Sequence, residues 1–213
     1  KLVDRIQKYV IFVVLTEENN MPNWCNNSIK IYGPKDKVKK LVEGAEEGQF
    51  LDTLMPMPLE LTDTVAGPNA ETKAEQDARD KLKAEHGAEN WYDWRTHNWS
   101  TKWDVDVYEN SIKVKPDGMN AKVTFGFDSA WAPPIGAVAD YLDRNDDMQI
   151  TLCYYEPGCD FMGIWEDFDD RCYNCSEDGP KSDSDFWNTE DGKILDDEFG
   201  IVDNLYHWEQ ERN

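Results

Sequence analysis

The segment 121–127, AKVTFGF, constrains the fold most, because Val123, Phe125 and Phe127 recur at every second residue. Only an extended strand places such residues on one face, so the chain must build a sheet covered on that side. A second alternating run, 27–32 (NSIKIY), sets Ile29 and Ile31 against Lys30 and Tyr32 and ends at Gly33-Pro34. Further strands are expected at 105–108, continued over 112–114 beyond a bend at Asn110, and at 148–155 (MQITLCYY). After the turn Glu156-Pro157-Gly158 a return strand is expected at 161–165.

Two helices with apolar stripes are expected between these strands. The first, 35–44, opens after Pro34, closes at Gly44 and turns Val38, Leu41 and Val42 inward. The second, 134–143, opens at Pro133-Pro134 with Ile135, Val138, Ala139 and Leu142 inward. Residues 50–54 read as a short extended piece, and Met55-Pro56-Met57-Pro58 forbids regular helix. A helical insertion, about 60–103, carries an exposed helix at 69–86 stopped by Gly87, then the aromatic segment 90–99. Without the insertion the order is strand, helix, strand, strand, helix, strand. That is an α+β chain of the ferredoxin-like split βαββαβ kind, an antiparallel sheet with helices on one face.

The 213 residues divide on this reading into a core at 21–166 and an acidic C-terminal extension at 167–213. The extension reads as an acidic loop at 167–186 and one helix at 193–210, weakened by Gly200. Residues 1–20 read as upstream translation or a fragment edge, with Met21 as the expected start. Their apolar run 9–15 (YVIFVVL) is too short to span a membrane and has no small-residue cleavage site; the alternative is an extra strand there.

The formal net charge is −22, from 44 acidic and 22 basic residues. From residue 156 onward, 18 Asp or Glu face four Lys or Arg, a net of 4 − 18 = −14. Such a field repels phosphate backbones and anionic membranes, so neither nucleic acid nor membrane is an expected partner. Two readings fit the charge: solubility in a crowded or salty cytoplasm, or a surface that meets basic proteins.

Five cysteines, Cys25, Cys153, Cys159, Cys172 and Cys175, with no secretory signal ahead of them, imply free thiols in a reducing compartment. Cys172 and Cys175 have the C-x2-C spacing of a structural zinc grip, with Cys153 and Cys159 as further donors. Acidic surroundings oppose thiolate formation without a metal, so free cysteine is the leading reading and no cofactor is expected. The segment 187–198 fails as an EF-hand, because Trp187 and Thr189 stand where carboxylates are needed. Of the three histidines only His97, among tryptophans, is a candidate base, and no nucleophile elbow, P-loop or metalloprotease motif occurs. A non-enzymatic role is expected.

The run Trp91, Trp94, Trp99 and Trp103, followed by Trp131, also has two readings. It is either core or the wall of a binding groove, with Arg95 and Lys102 as nearby cations. On the groove reading the candidate binding residues are Trp99, Lys102, Trp103, Asp128, Trp131, Tyr155 and Glu156. Single-stranded nucleic acid stacking on these rings would need a positive groove that the sequence does not display.

Four blocks carry a family resemblance: MPNWCNN at 21–27, NWSTKWD at 98–104, FDSAWAPP at 127–134 and YEPGCDFMG at 155–163. Together they resemble the YubB-type ferredoxin-like family of phage- and plasmid-borne bacterial proteins. Ser100 and Ala132 depart from the Gly and Ser expected there. The resemblance spans 21–165 and implies the ferredoxin-like fold, a mobile-element origin and Met21 as the start; it brings no catalytic residues. The expected function is a cytoplasmic accessory protein that binds a host or defence protein with a basic surface. The alternative is a small-ligand or metal-binding module, or an enzyme, built on the tryptophan cluster.

Overall fold

The computed structural model describes residues 23–67, 72–175 and 179–211; the 9–15 run, Met21 and the start of the 69–86 segment lie outside them. The strands are β1 (Trp24–Pro34), β2 (Lys113–Asp117), β3 (Asn120–Ala130), β4 (Gln149–Glu156), β5 (Phe161–Glu166) and β6 (Asp169–Tyr173). The helices are α1 (Lys35–Glu46), α2 (Phe50–Leu54), α3 (Lys73–His86), α4 (Trp91–Asn98), α5 (Ile135–Asp143), α6 (Glu190–Phe199) and α7 (Ile201–Glu211). The chain is α+β, and its six strands form one antiparallel sheet in the order β2-β3-β1-β4-β5-β6.

Alternation decides which face of the sheet is covered. Ile29, Ile31, Val123, Phe125, Phe127, Ile150 and Leu152 are buried together with Val38 and Leu41 of α1 and Val138 and Leu142 of α5. Both helices therefore lie on one face, as the stripes require. The opposite face is divided. Under β4 and β5, Cys153, Met162 and Ile164 bury against Trp187, Leu195, Ile201 and Leu205, so α6 and α7 cover that half. Covered on both sides, the first five residues of β5 are all buried, the continuous apolar run of a two-sided strand. Under β1, β2 and β3 the same face is open.

Four local expectations fail, each for a physical reason. Residues 50–54 are helical rather than extended. Phe50, Leu51 and Leu54 are buried at helical spacing, and Asp104 accepts the Leu51 and Asp52 amides at 2.8 and 3.0 Å. This cap comes from 52 residues downstream, beyond local inspection. The second strand is not 105–108, where only Val107 bridges to Phe127; the ladder starts at Lys113. All five residues of β2 are exposed, so it has no alternation to read, and Pro116 is tolerated because β2 is an edge.

The 167–186 segment is not all loop, since it contains β6. The β5–β6 turn uses Asp167 at φ 50° and Phe168 at φ 62° in place of the usual Asn and Gly, which hid the hairpin. Phe168 is held in that conformation edge-on to Trp165, with ring centroids 5.7 Å apart. Finally, the C-terminal helix is two helices. Gly200, at φ 63°, ends α6 by donating to the Asp196 carbonyl, and the Asp196 carboxylate accepts the Val202 amide at the start of α7.

Candidate functional site

The structure divides the aromatic residues that the sequence grouped. Trp99 is fully buried on the helix side, donates its indole N–H to the Met55 carbonyl (2.8 Å) and meets Trp94 edge-on. Arg95 lies 4.6 Å from the Trp99 ring, a cation–π contact inside this cluster. Trp103 is 39% exposed, with the Lys102 ammonium 4.0 Å from its ring centroid and Trp24 6.1 Å away. Trp131 is half-buried at φ 71° and donates its backbone N–H to Asn23.

Asp128 and Tyr155 do come together with Asn26, since both stand opposite it in the β1 register. Asp128 accepts from Asn26 (2.6 Å) and from the Tyr108 hydroxyl (2.5 Å). Tyr155 packs against Phe199, and burial pushes its phenol up to about 12. Glu156, next along β4, turns to the other face, where it is buried and accepts the amides of Gly158 (3.1 Å) and Cys159. It closes its own turn rather than joining the others.

Three of the thiols are held in the protonated, poorly nucleophilic form. Burial, with Glu198 nearby, pushes Cys153 up to about 12; burial with Asp160 does the same to Cys175. Burial and Glu156 raise Cys159 to about 11. Cys172 is exposed on β6 while Cys175 is buried in the second core. Among the described residues no group of three or more His, Cys, Asp or Glu is placed to hold a metal ion. His97 is exposed on α4.

The sequence reading missed the groove on the open face of the sheet. About 530 Å³ in volume, it is floored by β1, β3 and β4 and bounded by Glu198 and Phe199 of α6 and by Tyr108 and Ser111. Thr124 lies on its floor, paired with Lys30 on one side and Lys113 on the other. Lys115 and Lys122 form a second pair further along. All four lysines are exposed, and none makes an ion pair with a described residue. Glu198 accepts the Ser28 hydroxyl at 2.6 Å.

The C-terminal layer beside the groove has the opposite charge. Between 179 and 211 ten acidic residues face two lysines, a net of 2 − 10 = −8. Asp191 is engaged by Arg171 (3.0 Å) and the Tyr173 hydroxyl (2.6 Å), which fastens α6 to β6. Asp183, Asp185, Glu190, Asp197 and Asp203 are exposed and have no ion pair with a described residue. Among the described residues no helix is long and apolar enough to cross a membrane.

No protein-family model matches the chain, and no curated protein is similar to it. Among solved structures it is similar to the crystal structure of protein api92 from Yersinia pseudotuberculosis, assigned to the family DUF1281, at 14% identity and a TM-score of 0.36. The match covers 72% of this chain and 98% of that one. Overlap this loose carries no argument about fold or role.

Proposed function

We propose that this chain is a non-enzymatic binding protein whose acidic C-terminal layer docks on a cationic surface of a partner protein. The observation that carries the reading is the set of five exposed carboxylates, Asp183, Asp185, Glu190, Asp197 and Asp203, which have no ion pair with a described residue. Solvated carboxylates on one layer with a net charge of −8 repel one another, and a basic partner relieves that repulsion on contact. The layer is anchored to the sheet by the Trp187, Leu195, Ile201 and Leu205 core, so it presents its charges from a fixed frame.

Within this reading, β1 to β4 with α1 and α5 form a ferredoxin-like split unit, extended by β5 and β6. The order β2-β3-β1-β4 and the shared helix face support it. The four sequence blocks support a YubB-type relationship and with it a phage or plasmid origin, so the partner is a host or defence protein met in the bacterial cytoplasm. The chain works without a resident cofactor; stoichiometric zinc in protein purified without chelator would contradict that.

The test is capture from bacterial lysate by the immobilised chain and by a variant with all five residues changed to Asn or Gln. The same basic protein should be enriched by the wild type at low salt and lost by the variant. Equal capture by both removes the basis of the proposal.

A further inference from the structure

We propose that the groove on the open sheet face is a binding site for a nucleoside monophosphate. Its walls offer three kinds of recognition within the span of one such molecule. Lys113, Thr124 and Lys30 form one row across β2, β3 and β1. Strands are about 4.8 Å apart, so the two lysine backbones stand about 10 Å apart, and a lysine side chain is long enough to bring its ammonium over the Thr124 hydroxyl from either side. Two ammonium groups and a hydroxyl around one point make a seat for a phosphate.

The next row along the strands, about 6.7 Å away, contains Gly126 opposite Ser28. The Tyr108 ring packs against Gly126, where even a Cβ would come within 2.8 Å of it. Its hydroxyl is fixed on Asp128, and the ring is 41% exposed. The result is a rigid aromatic platform for a planar base. On the other side of this row Glu198 is held by Ser28, with carboxylate lone pairs left to accept the hydroxyls of a sugar. The phosphate seat thus occupies one row, and the base platform and the sugar acceptor flank the next, about 6.7 Å along the strands. The volume of about 530 Å³ lies within the roughly 300–1,000 Å³ of small-ligand sites.

The overall charge does not forbid this. At physiological salt the potential of distant carboxylates decays over about 8 Å, whereas the lysines touch the phosphate directly.

The experiment is calorimetric titration of the full chain with AMP, its 2′-deoxy form, UMP, adenosine, inorganic phosphate and a dT oligonucleotide. AMP or UMP should bind saturably at one site. Lys113→Ala and Tyr108→Leu should each weaken binding roughly tenfold or more, as should removal of the phosphate in adenosine. Glu198→Gln should narrow the preference for AMP over its 2′-deoxy form. Circular dichroism establishes that each variant is folded, and Lys113 is fully on the surface of an edge strand. Absence of saturable nucleotide binding overturns the proposal, as does binding indifferent to both Lys113→Ala and Tyr108→Leu. Affinity that grows with oligonucleotide length overturns it in favour of a strand-binding surface. None of these substitutions touches the five carboxylates of the acidic layer, so the two proposals fail separately.

Discussion

Replacing Trp99 with alanine tests whether the tryptophan run is core or binding wall. The side chain is wholly buried. Burying an indole removes up to about 200 Å² from water, worth about 5 kcal/mol at 25 cal/mol per Å². Measured losses for Trp or Phe to Ala in cores are about 3–5 kcal/mol. The Met55 carbonyl also loses its 2.8 Å donor, which adds about 1 kcal/mol. We expect Trp99→Ala to cost about 4–5 kcal/mol, and Trp99→Phe, which keeps a ring but not the N–H, about 1–2 kcal/mol. For a chain of this length that places the alanine variant's Tm about 8–20 °C lower. Trp103→Ala, which removes a 39% exposed ring and one exposed cation–π contact, should cost about 1 kcal/mol or less. Urea unfolding followed by far-ultraviolet circular dichroism measures all three. If Trp99→Ala stays within about 1 kcal/mol of the parent, or Trp103→Ala costs as much as it does, the assignment of Trp99 to the core is refuted.

Gly126→Ala should cost about 1–3 kcal/mol in the same assay, because the new Cβ would drive the Tyr108 ring off the strand; a neutral effect would mean that the ring is not seated there. The Asp104 carboxyl is held above its ordinary range because burial outweighs the three backbone N–H donors it accepts. Its contribution to stability is therefore full below the unfolded value of about 3.9 and lost as pH rises through the folded one. The stability advantage of the parent over Asp104→Asn should accordingly shrink as pH rises across that window; an advantage that grows would contradict the sign. Thiol titration at about pH 8 should find Cys172 reacting fast. Cys153, Cys159 and Cys175, with values of about 12, 11 and 12, should lag by roughly a hundredfold or more until the chain is denatured. Fast reaction of Cys153 or Cys175 in the native protein, located by peptide mapping, would show the second core to be open.

Alternation at 27–32 and 121–127 and the stripes of 35–44 and 134–143 made the central strands, the helix face and its core residues legible in the sequence. What escaped was structure whose cause lies far along the chain or outside residue preference. The α2 cap comes from Asp104, the β5–β6 turn from a phenylalanine in a left-handed conformation, and β2 from pairing alone. The stripe of 193–210 showed that a helix buries Leu195 and Leu205, but not that it does so on the opposite side of the sheet. Similar limits apply to the sites. Trp99 and Trp103, four residues apart, have the same chemistry and opposite exposure, which only packing decides. Lys30 was visibly on the polar face of β1, yet its alignment with Lys113 across Thr124 requires the strand order.

The acidic layer as a docking surface is tested most directly by titrating a labelled oligolysine peptide into the purified chain across a salt series. Saturable binding that weakens steeply with added salt, and vanishes when Asp183, Asp185, Glu190, Asp197 and Asp203 are neutralised together, is the predicted result. Binding that survives this neutralisation, or salt-tolerant retention of DNA in place of the peptide, would contradict it.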